Sequence, residues 1–149
     1  MAFERFTRDA RATVAAAHRE ALEAGDLAVE AEHLLLALAA RREFQALGLD
    51  RGTIVEALAR EERRSLAAVG LDPTELEPIA RAGRSPREPR FATSSKLALQ
   101  RALAAAARRG DRRLEARHVL LGVLSAQHGR VPRALRIAEI DMDELRARL

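Results

Sequence analysis

The chain repeats itself, and this constrains its fold more than any other feature. Phe6 and Phe91 lie 85 residues apart, and the same offset relates Gly25 to Gly110, Asp26 to Asp111, Glu30 to Glu115 and His33 to His118. The stretch Glu30-Ala31-Glu32-His33-Leu34-Leu35-Leu36-Ala37 is echoed by Glu115-Ala116-Arg117-His118-Val119-Leu120-Leu121-Gly122. No gap is needed from Phe6 to Leu38. Beyond it, Asp50 aligns with Asp141 and Leu58 with Leu149, at an offset of 91. The second half therefore carries six extra residues, near Ser125 to Arg133. One supersecondary unit used twice buries its apolar face against its own copy.

Each unit reads as four helices. Ala, Leu, Arg and Glu dominate the chain, and all are strong helix formers. Helix one follows Thr7, carries Ala10, Val14, Ala17 and Ala21 at helical spacing, and stops at Gly25. Helix two runs from about Glu30 to Ala40 and is the most apolar. A short segment surrounds Phe44 to Leu47, and Asp50 is placed to cap a fourth helix bearing Ile54, Val55 and Leu58. In the second half, Ser94 or Ser95 is expected to cap an Ala-rich helix ending at Gly110, and Glu115 to Gln127 repeats helix two. Pro132 suits a first helical turn, and Asp141 with Glu144 resembles a capping box. Between the units, Asp72-Pro73-Thr74-Glu75 is a helix start leading to about Ala82, and residues 84–90 read as an exposed, extended linker. The expectation is one all-α domain over 1–149: repeat one at 1–58, a linker at 59–90 with a short helix, and repeat two at 91–149.

Composition narrows the function. With no cysteine there is no disulfide framework and no thiolate chemistry. The longest apolar run, Leu34 to Ala40, falls far short of a membrane span, and Met1 to Arg5 lacks the blocks of a signal peptide. A cytoplasmic protein is expected. Aromatics make up 3%, too few for a platform that stacks single-stranded nucleic acid. The net charge of +4 is unevenly spread: −3 over 1–58, +1 over 59–90 and +6 over 91–149.

The opening Phe3-Glu4-Arg5-Phe6-Thr7, the duplication and the Glu-x-Glu/Arg-His-Leu/Val-Leu motif of each half together resemble the Clp N-terminal domain, closest to the ClpC type. That domain stands at the front of Clp AAA+ unfoldases and binds substrates and adaptors. The resemblance covers essentially the whole chain and implies two pseudo-symmetric four-helix repeats packed together. No segment fits the phosphate-cradling Gly-x-x-x-x-Gly-Lys-Ser/Thr loop, and the one lysine, Lys96, does not follow a glycine. A stand-alone, non-enzymatic binding module without a cofactor is therefore expected. Its expected partners are peptides, protein substrates, Clp adaptors or unfoldase subunits, with cyclic peptide antibiotics that target such domains as further ligands.

The resemblance also implies sites. A peptide or adaptor groove between the repeats maps onto Phe3, Val14, Phe91 and Lys96. Phosphoarginine pockets of the ClpC type use a Thr-Glu before the motif histidine. Here the Thr positions are Ala31 and Ala116; Glu32 remains in the first half, and Arg117 stands in the second, suited to an anion instead. His33 and His118 begin apolar runs at equivalent positions, which a repeated structural role explains. No His-x-x-x-His spacing or neighbouring nucleophile points to metal binding or catalysis. The basic cluster Arg108, Arg109, Arg112 and Arg113 motivates an alternative, a nucleic-acid-associated regulator, although a solvated helix end explains it as well. His18 and His128 read as unpaired surface residues.

Overall fold

The structure is a computed structural model, and it describes residues 3–76 and 88–149. A 3-10 turn at Phe3–Arg5 leads into α1 (Arg8–Ala24), the short strand β1 (Ala28–Val29), α2 (Ala31–Ala39), α3 (Arg42–Gln45) and α4 (Arg51–Ala68). The second half follows the same order: β2 (Arg90–Phe91), α5 (Thr93–Arg108), α6 (Ala116–Leu124), α7 (Arg130–Ile137) and α8 (Met142–Ala147). The all-α expectation holds, with four helices in each half among the described residues.

The two halves exchange their leading segments. Before α1, Phe6 pairs in parallel with Leu114, which lies in the α5–α6 connection. Before α5, Phe91 pairs in parallel with Val29, in the α1–α2 connection. The hydrogen bonds match: Thr7 N–H donates to the Leu114 carbonyl at 2.9 Å, and Ala92 N–H donates to the Val29 carbonyl at 3.0 Å. Leu114 stands 85 residues after Val29, as Phe91 does after Phe6, so the pairing is reciprocal. Phe6, Val29 and Leu114 are almost wholly buried there.

The helix ends follow from local chemistry. Thr7 Oγ1 accepts from Ala10 N–H, and an Asp50 carboxylate oxygen accepts from Thr53 N–H, each satisfying a free amide of a first turn. Gly25 and Gly110 end α1 and α5 at φ 73° and 72°, a left-handed conformation that costs other residues a clash with Cβ. The turn after α3 uses Gly48 at φ 92°, whereas its counterpart after α7 is Glu139, at φ 58°.

The core lies where the Leu-rich α2 and α6 meet, enclosed by α1, α4, α5 and α7. Leu34, Leu35 and Leu38 on α2, with Leu120 and Leu124 on α6, are fully buried. Truncating any one of these leucines to alanine removes about 2–5 kcal/mol. Gly122 lets α6 approach α5: a Cβ placed there would lie 2.1 Å from the Ala98 carbonyl oxygen.

Several local expectations need correction. The N-cap of α5 is Ala92, not Ser94 or Ser95. Ser95 Oγ instead donates to the Val29 carbonyl at 2.6 Å, and Ser94 Oγ accepts the first amide of α2, Ala31 N–H, at 2.9 Å. Both serines thus serve the opposite half, which helical spacing alone does not reveal. Val55 faces outward, 42% exposed. The fourth helix continues through 59–68, the stretch read as the start of the linker, and buries Glu61. At the linker's other end Pro89 is buried and residues 90–91 form β2. Asp141 caps α8 through Asp143 and Glu144 N–H, but Glu144 turns away to pair with Arg148, leaving the box half made. Residues 73–76 are helical as expected; the continuation to Ala82 and residues 84–87 lie outside the described residues.

Gly122→Ala is expected to destabilise the protein by about 3 kcal/mol, because its methyl group meets backbone that cannot yield without separating α5 from α6. Equilibrium urea unfolding would measure this; a loss below about 0.5 kcal/mol would contradict the close approach.

Candidate functional site

The exchange of leading segments places residues from both halves on one groove. A cavity of about 550 Å³ is lined by Phe3, Glu4, Arg11, Val14, Ala15, His18 and Phe91. Phe3 comes from the 3-10 turn, Val14 from α1, and Phe91 from β2, which reaches this side because it pairs with β1. Phe3 is 41% exposed, Phe91 is half-buried, and Val14 forms the floor. Two contacts hold Phe3 in place. Its ring tilts against Phe6 at a centroid distance of 4.9 Å, and its carbonyl accepts from Arg11 Nε at 3.2 Å and Nη2 at 3.0 Å. The result is an apolar trough with Glu4, Arg11 and His18 at its margins.

Lys96 is not among the lining residues. It is exposed in the first turn of α5, and the cation at the groove is Arg11. Arg11 sits eight positions from Phe3, a spacing that carried no signal beforehand because Phe3 precedes the helix. His18 is half-buried in the groove lining and not on the open surface, with Nε2 3.9 Å from a Glu88 carboxylate oxygen, beyond hydrogen-bond reach. His128 is exposed.

The motif histidines do the same job twice. Glu30 N–H donates to His33 Nδ1 at 2.8 Å, and His33 Nε2 contacts Asp26 at 2.8 Å. Glu115 N–H donates to His118 Nδ1 at 2.8 Å, and His118 Nε2 contacts Asp111 at 2.7 Å. An amide proton directed at Nδ1 leaves the ring proton on Nε2, where it donates to the aspartate. Each ring thereby ties the start of a Leu-rich helix to the turn that precedes it.

Glu32 and Arg117 are both paired within the chain. Arg130 Nη1 donates to Glu32 at 3.1 Å. Arg117 bridges Glu115 at 3.1 Å and Asp111 at 3.2 Å, and its Nη1 reaches the Leu149 carbonyl at 3.5 Å. Of the basic cluster, Arg109 Nη1 donates to the Leu149 carbonyl and Arg113 Nη2 to the Phe6 carbonyl, so two of its four arginines serve the fold.

Glu61 carries a charge that the sequence concealed in a Glu-Glu-Arg-Arg run. It is 3% exposed on α4. Burial pushes its carboxyl pKa up. Hydrogen bonds from Ser65 and Arg133, with the charges of Arg133 and Arg130, outweigh burial and hold it below the ordinary glutamate range. A second cavity, of about 590 Å³, lies between α2, α5 and residues 125–132, the region of the extra residues.

Residues 90–149 match the family model of the Clp repeat (R) N-terminal domain. The N-terminal domain of the caseinolytic protease associated chaperone ClpD from Arabidopsis thaliana superposes with a TM-score of 0.74 at 24% identity, over 99% of this chain and 93% of that one. The chain has the Clp N-terminal domain fold. The Hsp104 N-terminal domain from Candida albicans is also similar, with a TM-score of 0.59 at 16% identity over 95% of this chain and 87% of that one. No curated protein matches the sequence. No helix among the described residues is long and apolar enough to cross a membrane.

The Glu61 carboxylate gives this Clp N-domain fold a defined acid sensitivity. Because its folded pKa lies below the unfolded value of about 4.3, its contribution is complete above that pH and is lost as pH falls through the folded value. Glu61→Gln is expected to cost about 1–2 kcal/mol at pH 7 and to flatten the decline of stability below about pH 4.3. Urea titrations at several pH values check both; an unchanged acid limb would remove Glu61 from this role.

Proposed function

We propose that the chain is a non-enzymatic protein-interaction module that holds an apolar segment of a peptide or partner protein in the groove between its two halves. The observation that carries this reading is the convergence of Phe3, Val14 and Phe91, drawn from separate elements, on one open apolar trough. An exposed aromatic packed against a second ring is ready to bury its remaining face, and apolar burial supplies about 25 cal/mol per Å². Arg11 and Glu4 at the margin suit a ligand whose backbone or flanking charges leave the trough. Lys96, on the helix that follows Phe91, offers a cation to a ligand long enough to run beyond it. Glu32 and Arg117, being paired internally, fall outside this contact surface.

The likeness in fold supports a protein partner. Its structural relatives include the N-terminal domain of a chaperone associated with caseinolytic protease. By that likeness, the ligands proposed are protein substrates, adaptors of a Clp unfoldase, or peptide antibiotics directed at such domains. The module acts by delivering, competing for or sequestering them. The nucleic-acid alternative has less support, because Arg109 and Arg113 are committed to the fold.

The chain has no tryptophan or tyrosine, so Phe3→Trp introduces a lone fluorophore at the groove. Titrating that variant with an apolar decapeptide is expected to give a saturable change in its emission. In a label-free competition assay, Phe3→Ala is expected to bind the same peptide about tenfold more weakly than wild type, the ratio that corresponds to about 1.4 kcal/mol. Equal affinities for wild type, Phe3→Ala and Phe91→Ala would exclude the groove.

A further inference from the structure

A cleft of about 470 Å³ lies between α4 and the end of α7. On one side Thr53, Glu56, Ala57, Arg60 and Arg64 recur every three or four residues, so they form a single stripe of α4 about 16 Å long. On the other side stand Arg136, in the last turn of α7, and Glu139 just beyond it. Ala57 is buried and Ile137 half-buried, and they give the cleft an apolar floor. Arg60, Arg64 and Arg136 are exposed. Among the described residues, no hydrogen bond or ion pair engages any of these three guanidinium groups. Elsewhere on the same helices Arg51 holds Glu20, and Arg130 and Arg133 hold Glu61. Glu56 precedes Arg60 by one turn, the spacing of a helical ion pair, yet no such pair forms.

Like charges around one cleft repel, and its apolar walls concentrate their field. An anion seated there relieves that repulsion. We propose that this cleft binds an acidic segment of a partner protein in extended conformation, with Arg60, Arg64 and Arg136 donating to its carboxylates. The spacing fits: residues one helical turn apart, as Arg60 and Arg64 are, stand about 6 Å apart along the axis. Alternate side chains of an extended segment project to one face about 6.7 Å apart. Each guanidinium offers a carboxylate two parallel N–H donors. Glu56 and Glu139 favour a peptide over a nucleic acid. They accept backbone N–H groups, which a peptide presents between its side chains, and they repel the unbroken charge of a phosphodiester chain. None of these residues lines the Phe3 groove, so this is a second contact surface.

Fluorescence anisotropy with a labelled decapeptide of alternating glutamate and alanine tests this. Wild type is expected to bind it saturably in about 50 mM salt and to lose affinity as the salt rises. Arg60→Gln combined with Arg64→Gln is expected to bind about tenfold more weakly, and Arg136→Gln, on the opposite helix, about threefold. Arg136→Gln also gives an independent reading should the double variant fail to fold. Arg108→Gln combined with Arg112→Gln removes the same charge from exposed positions at the end of α5 and in the turn after it, and is expected to keep wild-type affinity within about twofold. No binding by wild type, an equal loss in the Arg108 and Arg112 variant, unchanged affinity without Arg136, or tighter binding of a short DNA duplex than of the peptide would each overturn the proposal.

Discussion

The reciprocal pairing of leading segments is the constraint on which the other features depend. Each half supplies a short extended stretch, and the other half supplies the connection that it pairs with. The Arg5 carbonyl and the Thr7, Arg90 and Ala92 amides are therefore satisfied across the pseudo-two-fold. Buried amides without partners are costly, so neither half closes its own core edge alone. The same exchange draws Phe91 toward α1 and fixes Phe3 beside Phe6. The groove is thus a product of the pairing, not an addition to a finished fold.

Charge is used differently in the two halves. The first half is net acidic and the second strongly basic. Part of that imbalance is taken up where they touch. Arg130 and Arg133 of α7 meet Glu32, Glu61 and Glu62 of the first half and its continuing fourth helix. Such partly buried pairs specify orientation as much as they stabilise, because removing one partner strands the other. Within the halves the pairs are more local: Arg51 grips Glu20 through both oxygens, and Arg117 spans Asp111 and Glu115.

Much of the architecture was legible because it is periodic or punctuated. The offset of 85 predicted equivalent elements, and the motif histidines turned out to make equivalent bonds. Gly25 and Gly110 marked true helix ends. The groove trio was placed by family resemblance, and the structure brings Phe3, Val14 and Phe91 together while leaving Lys96 outside. What escaped the sequence was partnership across the two-fold. Ser94 and Ser95 read as caps of their own helix, since spacing describes a helix and not what lies opposite it. Glu61 fell in the stretch read as linker, and Arg130 among the extra residues of the second half. Arg11 gave no signal because its acceptor is a backbone carbonyl.

The pairing of Arg5 and Thr7 with Leu114 also bears on the order of assembly. Those bonds close a loop of more than a hundred residues, as the 107-residue separation of Arg5 and Arg112 shows. Loop-closure entropy makes such a contact expensive until both ends are already held near each other. A contact of that separation gains from order already present between its ends, so the N-terminal arm is held by a folded second half and not by its sequence neighbours alone. Phe3 rides on that arm, so the wall of the groove is anchored through a contact made more than a hundred residues away in sequence. The apolar trough therefore exists only while the second half holds the arm that forms its wall.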